Sequence, residues 1–175
     1  MKTLDFYELI SKRRSIRAYD PEKSVSDETI KKILEAGRLA PTASNRQPAT
    51  FHLVKDTTLI KKIHSSYSRE WFHKSTAVLI VTGKREDAWA RSWDGFNSLE
   101  IDLSIMMDHM ILAAEYEGVA TCWIIAFEEA VVKKALNLHE NELVLCMTPL
   151  GYPPEGYQKR GMPDRKSLDE LLKIY

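Results

Sequence analysis

The sequence predicts a single domain in which helices surround one central sheet. Three observations predict it. The chain has 175 residues, the length of one domain with enough interior to bury a core. About four apolar runs have strand length and are interleaved with longer runs at helical spacing. One helical run, Leu99 to Glu117, is apolar on nearly every side and so needs packing partners all round.

Each element follows in order. Asp5 with Glu8 has the form of a capping box, opening a helix through Leu9 and Ile10. Ser26, with Asp27 and Glu28 behind it, opens a second helix whose Ile30, Ile33, Leu34 and Gly37 share a face, and Pro41 stops it. A polar loop, Thr42 to Gln47, leads to a strand at Thr50 to Val54, and Thr57 to His64 reads as a short helix. Ala77 to Thr82 is a continuous apolar run, which fits a strand buried on both faces. Residues 84–97 are polar but carry Trp89 and Trp93, and read as a loop or a mobile helix. Gly118 ends the long apolar helix. Val119 to Ile125 reads as a strand, Glu128 to Leu138 as a helix and Leu143 to Leu150 as a strand. Beyond Gly151, an irregular tail ends in a short helix after Ser167. On pattern alone the long helix has two readings, burial inside the monomer or a subunit interface.

Composition excludes several classes. The 25 Lys and Arg balance 25 Asp and Glu, so the chain is not a generally basic nucleic-acid binder. No apolar run is long enough to span a membrane, and the first ten residues lack the apolar stretch of a signal peptide. Cys122 and Cys146 lie in apolar runs and read as buried, reduced thiols, which predicts a cytoplasmic protein. The five histidines show no ligand spacing, so no metal site is expected. There is no nucleophile elbow, Walker loop or G-x-G-x-x-G, and a Rossmann domain is not supported.

Four segments could carry chemistry. Lys12-Arg13-Arg14-Ser15-Ile16-Arg17 is either a helix end stocked with cations or a phosphate cradle of guanidinium groups and a hydroxyl. If the chain is extended after Arg13, Ser15 and Arg17 point one way and Ile16 turns inward. Ala40 to Pro48 is either a plain connection or a loop presenting small side chains and amides to a planar ligand. Gly118 to Phe127 reads as a core strand. The tail, from Leu150-Gly151-Tyr152-Pro153-Pro154-Glu155 to Lys159, Arg160, Arg165 and Lys166, offers a second set of cations.

Together these segments resemble the nitroreductase family of flavin enzymes, over nearly the whole chain and in the family's order. The family's R-R-S-x-R is found at Arg13 to Arg17. Its A-P-S-A-x-N-x-Q-P-W-x-F loop is found at Ala40 to Phe51, with Thr42 for Ser and Ala49 for Trp. Its G-T-C-W-I-G-x-F segment lies at Ala120 to Phe127, with Ile125 where Gly is usual, and its L-G-Y-P-x-E turn lies at Leu150 to Glu155. The resemblance implies a single α+β domain spanning residues 1–175. A mostly antiparallel central sheet is surrounded by helices, in an intertwined homodimer with FMN at the subunit interface. It implies that Arg13, Arg14, Ser15 and Arg17 contact FMN from one subunit. Arg165 would reach the phosphate from the tail, with Lys166 or Arg160 beside it. Pro41, Thr42, Ala43, Asn45 and Gln47 would come from the partner, and the Ile125-Ala126 backbone would offer an N–H to flavin N5. Arg17 is the candidate to stabilise the charge that reduced flavin gains near N1. The long helix becomes the dimer core, and the tail at 151–175 reaches the partner. Residues 84–97 become a substrate lid whose aromatics stack on a planar electrophile. The implied reaction is ping-pong: NADH or NADPH reduces FMN, and a nitroaromatic, quinone or similar acceptor reoxidises it. The proton can come from water, so no catalytic side chain is assigned. A reductive dehalogenase or dehydrogenase of the same fold, or a flavin-storage protein, is the alternative.

Overall fold

The computed structural model describes residues 5–175. Three antiparallel strands, β1 (Ala49–Val54), β2 (Ala77–Lys84) and β3 (Glu142–Leu150), form one sheet in the order β1-β2-β3. The central strand is buried from Ala77 to Gly83, as its unbroken apolar run requires. Its odd-numbered residues Ala77, Leu79 and Val81 face α2 (Asp27–Arg38) and α4 (Leu99–Tyr116), packing with Ile30, Ile33, Leu103 and Met107. Val78 and Ile80 face the other way, onto Ile60, Ile63, Phe72 and Val132 from α3 (Thr57–His64), α5 (Glu129–Leu136) and the turn between α3 and β2. The period-2 alternation of β2 thus supplies two cores, one on each side of the sheet.

The predicted helix starts are capped as expected. Asp5 accepts from the Glu8 N–H at the start of α1 (Phe6–Lys12), and Ser26 accepts from Thr29 at α2. The Glu8 carboxylate pairs with Lys12 instead of completing a box. Gly118, at φ +76°, takes the left-handed position after α4. Ser167 and Glu170 form a full capping box at α6 (Leu168–Leu171).

The fourth predicted strand is not formed. Residues 119–125 make only two isolated bridges to the outer edge of β3, Ala120 with Gly151 and Ile124 with Met147. Between those two points the ladder would need an N–H from Pro149, which has none. The Cys122 N–H donates instead to the Thr148 hydroxyl at 3.1 Å. Of the two readings of residues 84–97, the loop is the one found beyond Lys84, where β2 ends. These residues form a hairpin-like turn closed by the Ala90–Asn97 bridge, in which Arg91 pairs with Asp94 and stacks its guanidinium on Trp93 and Phe96.

His64 shows how burial acts on a titratable group. It is 8% exposed, edge-on to Phe72 and stacked on His73, with Nε2 3.1 Å from the Ser75 hydroxyl. Burial, with the neighbouring His73, pushes its pKa down from 6.5 to about 4. Between those values the unfolded chain binds a proton that the folded chain refuses, so stability rises with pH across this window. Acidification from pH 7 to about pH 4 is expected to lose on the order of 2–3 kcal/mol through this residue. Denaturant melts across that range check it, and His64→Gln should flatten the slope.

Candidate functional site

The two cationic ends of the chain meet at one cleft. A connector from α1 runs extended past Ser15. Ile16 is 1% exposed and packs with Tyr19 and Ala120, while Arg13, Arg14 and Ser15 are half-buried and Arg17 is exposed. The connector is fixed on both sides. The Ile16 N–H donates to the Thr121 carbonyl at 2.8 Å, and the Asp20 N–H donates to the Tyr152 carbonyl at 2.8 Å. The Tyr19 hydroxyl donates back to the Ile16 carbonyl at 2.9 Å. This threading explains why Ser15 and Arg17 share an outward direction.

The cleft has a volume of about 360 Å3 and is lined by Ile10, Arg13, Arg14, Ser15, Arg17, Arg160, Gly161, Met162, Pro163 and Arg165. Among the described residues none of these five arginines forms an ion pair, although ten other lysines and arginines do. Five guanidinium groups around one cavity without carboxylate partners make a site for an anion with several oxygens. Arg14 has a second task. Its Nη1 donates to the Ser11 and Arg13 carbonyls at 2.7 and 2.8 Å, and its Nε donates to the Arg160 carbonyl at 3.2 Å. It therefore closes the end of α1 and stitches the tail to it. Lys159 anchors the same stretch through an ion pair with Glu115.

Lys166 is exposed and does not line the cleft, and Arg160 does. A sequence signal for Arg160 exists in the Gly161 and Pro163 that follow it, which turn the tail across the cavity.

The loop carrying Pro41, Thr42, Ala43, Asn45 and Gln47 does not line the basic cleft of its own subunit. It forms a 3-10 turn at Ala43–Asn45, and Ser44, Asn45 and Gln47 all have left-handed φ, of 50°, 54° and 51°. Such non-glycine residues store strain. Ile125 and Ala126 are exposed, Ile125 at 68%. Among the described residues, neither N–H donates to a protein acceptor. Neither residue lines the basic cleft of its own subunit.

Cys122 lies beside this site. Burial raises its pKa, while Arg17, Ser15 and Arg13 pull the other way without reversing the shift. Cys146, deeper in β3, is pushed up to about 12 by burial. Both thiols stay protonated near neutral pH and are poor nucleophiles. Among the described residues no group of three or more His, Cys, Asp or Glu is arranged to hold a metal ion. No helix among them is long and apolar enough to cross a membrane.

The profile of the nitroreductase family matches residues 10–77 and 57–152. The chain is 29% identical over 174 residues to an Archaeoglobus fulgidus protein named for NADH dehydrogenase/NAD(P)H nitroreductase, covering 93% of this chain and 94% of that one. It is 27% identical to iodotyrosine deiodinase 1 of Sus scrofa, covering 98% of this chain and 68% of the relative. It superimposes with a TM-score of 0.80 and 25% identity on a nitroreductase-type crystal structure from Desulfovibrio desulfuricans solved in complex with FMN, covering 97% and 95% of the two chains. A profile match across most of the chain, on an α+β domain whose two ends converge on an arginine-lined cleft, establishes that this protein belongs to the nitroreductase family.

Proposed function

We propose that the protein is an FMN-dependent oxidoreductase that takes electrons from NADH or NADPH and passes them to a nitroaromatic, quinone or similar planar electrophile. The observation that carries this reading is the cleft of five arginines without carboxylate partners, which fits a phosphate. Bound FMN supplies hydride acceptance and donation at N5. Arg13, Arg160 and Arg165 hold the phosphate end and offset its charge, and Arg14 keeps the tail in place. Arg17, just past Ile16 on the connector from α1, supplies a cation toward the ring edge where reduction deposits negative charge. The free N–H groups of Ile125 and Ala126 orient the ring by donating to it. Lys166, outside the cleft, screens the phosphate only at a distance.

The second half of each site comes from a partner copy. The outward face of α4 carries Ile101, Ile105, Leu112 and Tyr116, none of them buried in the monomer. Beside it an apolar groove is lined by Phe6, Leu9, Ala36, Leu112, Ala113 and Tyr116. A dimer that covers this face brings the partner's 41–47 loop to the cleft that its own subunit leaves without one. Residues 84–97 then form a substrate lid, with Trp93 78% exposed and available to stack on an aromatic.

The likeness to iodotyrosine deiodinase 1 favours one second reading, reductive dehalogenation of an aromatic at the same site. Two-substrate kinetics with NADH or NADPH against nitroaromatics, quinones and iodinated phenols separates the two. Parallel reciprocal plots with nitro or quinone acceptors support the first reading. Turnover confined to the halogenated phenol replaces it with the second.

A further inference from the structure

Asp102 is a buried carboxylate outside the basic cleft, in the first turn of α4 and 1% exposed. Its two oxygens serve two different segments. Oδ1 accepts from the Ala43 N–H at 2.8 Å, and Oδ2 accepts from the Ser98 hydroxyl at 2.7 Å. Ser98 occupies the N-cap position of α4, yet its hydroxyl caps no backbone N–H; it is turned onto Asp102 instead. Ser98 is also the base of the 89–97 hairpin, since its N–H donates to the Trp89 carbonyl at 2.9 Å. Ala43 opens the strained turn of the 42–47 loop. Inside that loop the Gln47 N–H donates to the Thr42 hydroxyl at 3.0 Å and the Gln47 amide to the Asn45 carbonyl at 3.2 Å. Those bonds shape the turn but cannot fix its place on the domain. A run of left-handed non-glycine residues persists only where the surroundings over-determine it. The Asp102 carboxylate does this from a site where water does not compete.

We infer that Asp102 is a positioning residue that braces the strained 42–47 loop and the 89–97 hairpin against each other. A ligand that orders one then orders the other. The inference rests on the reading above only in taking FMN as the ligand that the loop meets.

Hydrogen exchange tests it on the whole protein, with and without FMN. Asp102→Ala should speed amide exchange about tenfold at 43–47 and at 89–97 together, the effect of one lost charged hydrogen bond, while β2 amides keep their protection. Asp102→Asn should rescue both, because its amide can accept from Ala43 and donate to the Ser98 hydroxyl. Ser98→Ala should loosen 89–97 alone, because Ala43 keeps its acceptor. In the wild type, FMN should slow exchange in both segments, and in Ser98→Ala in the loop only. Uniform loss of protection through β2 in Asp102→Ala would mark a purely structural carboxylate and overturn the proposal. So would FMN protecting both segments equally in Ser98→Ala. If Asp102→Ala does not fold, the Ser98→Ala comparison decides alone. A wild type that takes up no FMN removes the functional reading, while the exchange pattern of the apoprotein variants still judges the brace.

Discussion

Replacing Arg13 or Arg165 with Ala should weaken FMN binding by roughly ten- to a hundredfold each, the loss of one or two charge-assisted hydrogen bonds to phosphate. The two residues lie near opposite ends of the sequence, yet they line the same cleft. Neither is engaged by a carboxylate among the described residues, so each substitution removes an available donor without releasing a buried partner. Fold stability should therefore change little. Riboflavin, which lacks the phosphate, serves as the control, and its affinity should barely respond to either change. Lys166→Ala should leave FMN affinity near the wild-type value, because Lys166 does not reach the cleft. Titration of the apoprotein with FMN and riboflavin checks all three. Unchanged FMN affinity in Arg165→Ala would remove the tail from the site. Arg14→Ala should behave differently, since Arg14 gives up bonds to three carbonyls; the tail should loosen as well.

Leu112→Asp should convert the protein to a monomer and remove FMN with it. Leu112 lies on the outward stripe of α4 and lines the apolar groove against Phe6, Leu9 and Tyr116. A carboxylate there costs several kcal/mol when a partner covers it and almost nothing when it faces water. That difference weakens association by a hundredfold or more, on the order of 3 kcal/mol, without touching any arginine of the cleft. Sedimentation reads the association state, and FMN content reads the site. Loss of both together is expected, because the proposed site takes its second half from the partner's loop. A variant that is monomeric yet binds FMN normally would show that one chain suffices.

Much of this was legible in the sequence, for physical reasons that differ by element. The unbroken apolar run at Ala77 to Thr82 could only be a strand buried on both sides, and it packs two cores. The caps at Asp5, Ser26 and Ser167 are local chemistry, so they could be read without knowing the fold. Ile16 between Ser15 and Arg17 announced the extended connector. Val119 to Ile125 misled because its own residues suit a strand. The obstacle lies in the neighbour, where Pro149 interrupts the edge that would have to pair with it. The left-handed turn at Ser44, Asn45 and Gln47 was hidden because only Asn favours that conformation, and the support comes from Asp102, more than fifty positions away. That Arg160 lines the cleft and Lys166 does not also depends on the third dimension: one lies where the tail crosses the cleft, and the other lies past it. The motifs carried the family because they span both ends of the chain in register. Distances between those ends could come only from the fold.

On the proposed function, the arginine cleft serves a flavin that exchanges electrons with a nicotinamide. Anaerobic reduction of the FMN-loaded protein tests it most directly. The yellow protein should bleach on addition of NADH or NADPH and regain its colour when a nitroaromatic or quinone is admitted. A protein that stays colourless in excess FMN, or one whose bound FMN neither nicotinamide reduces, would contradict it.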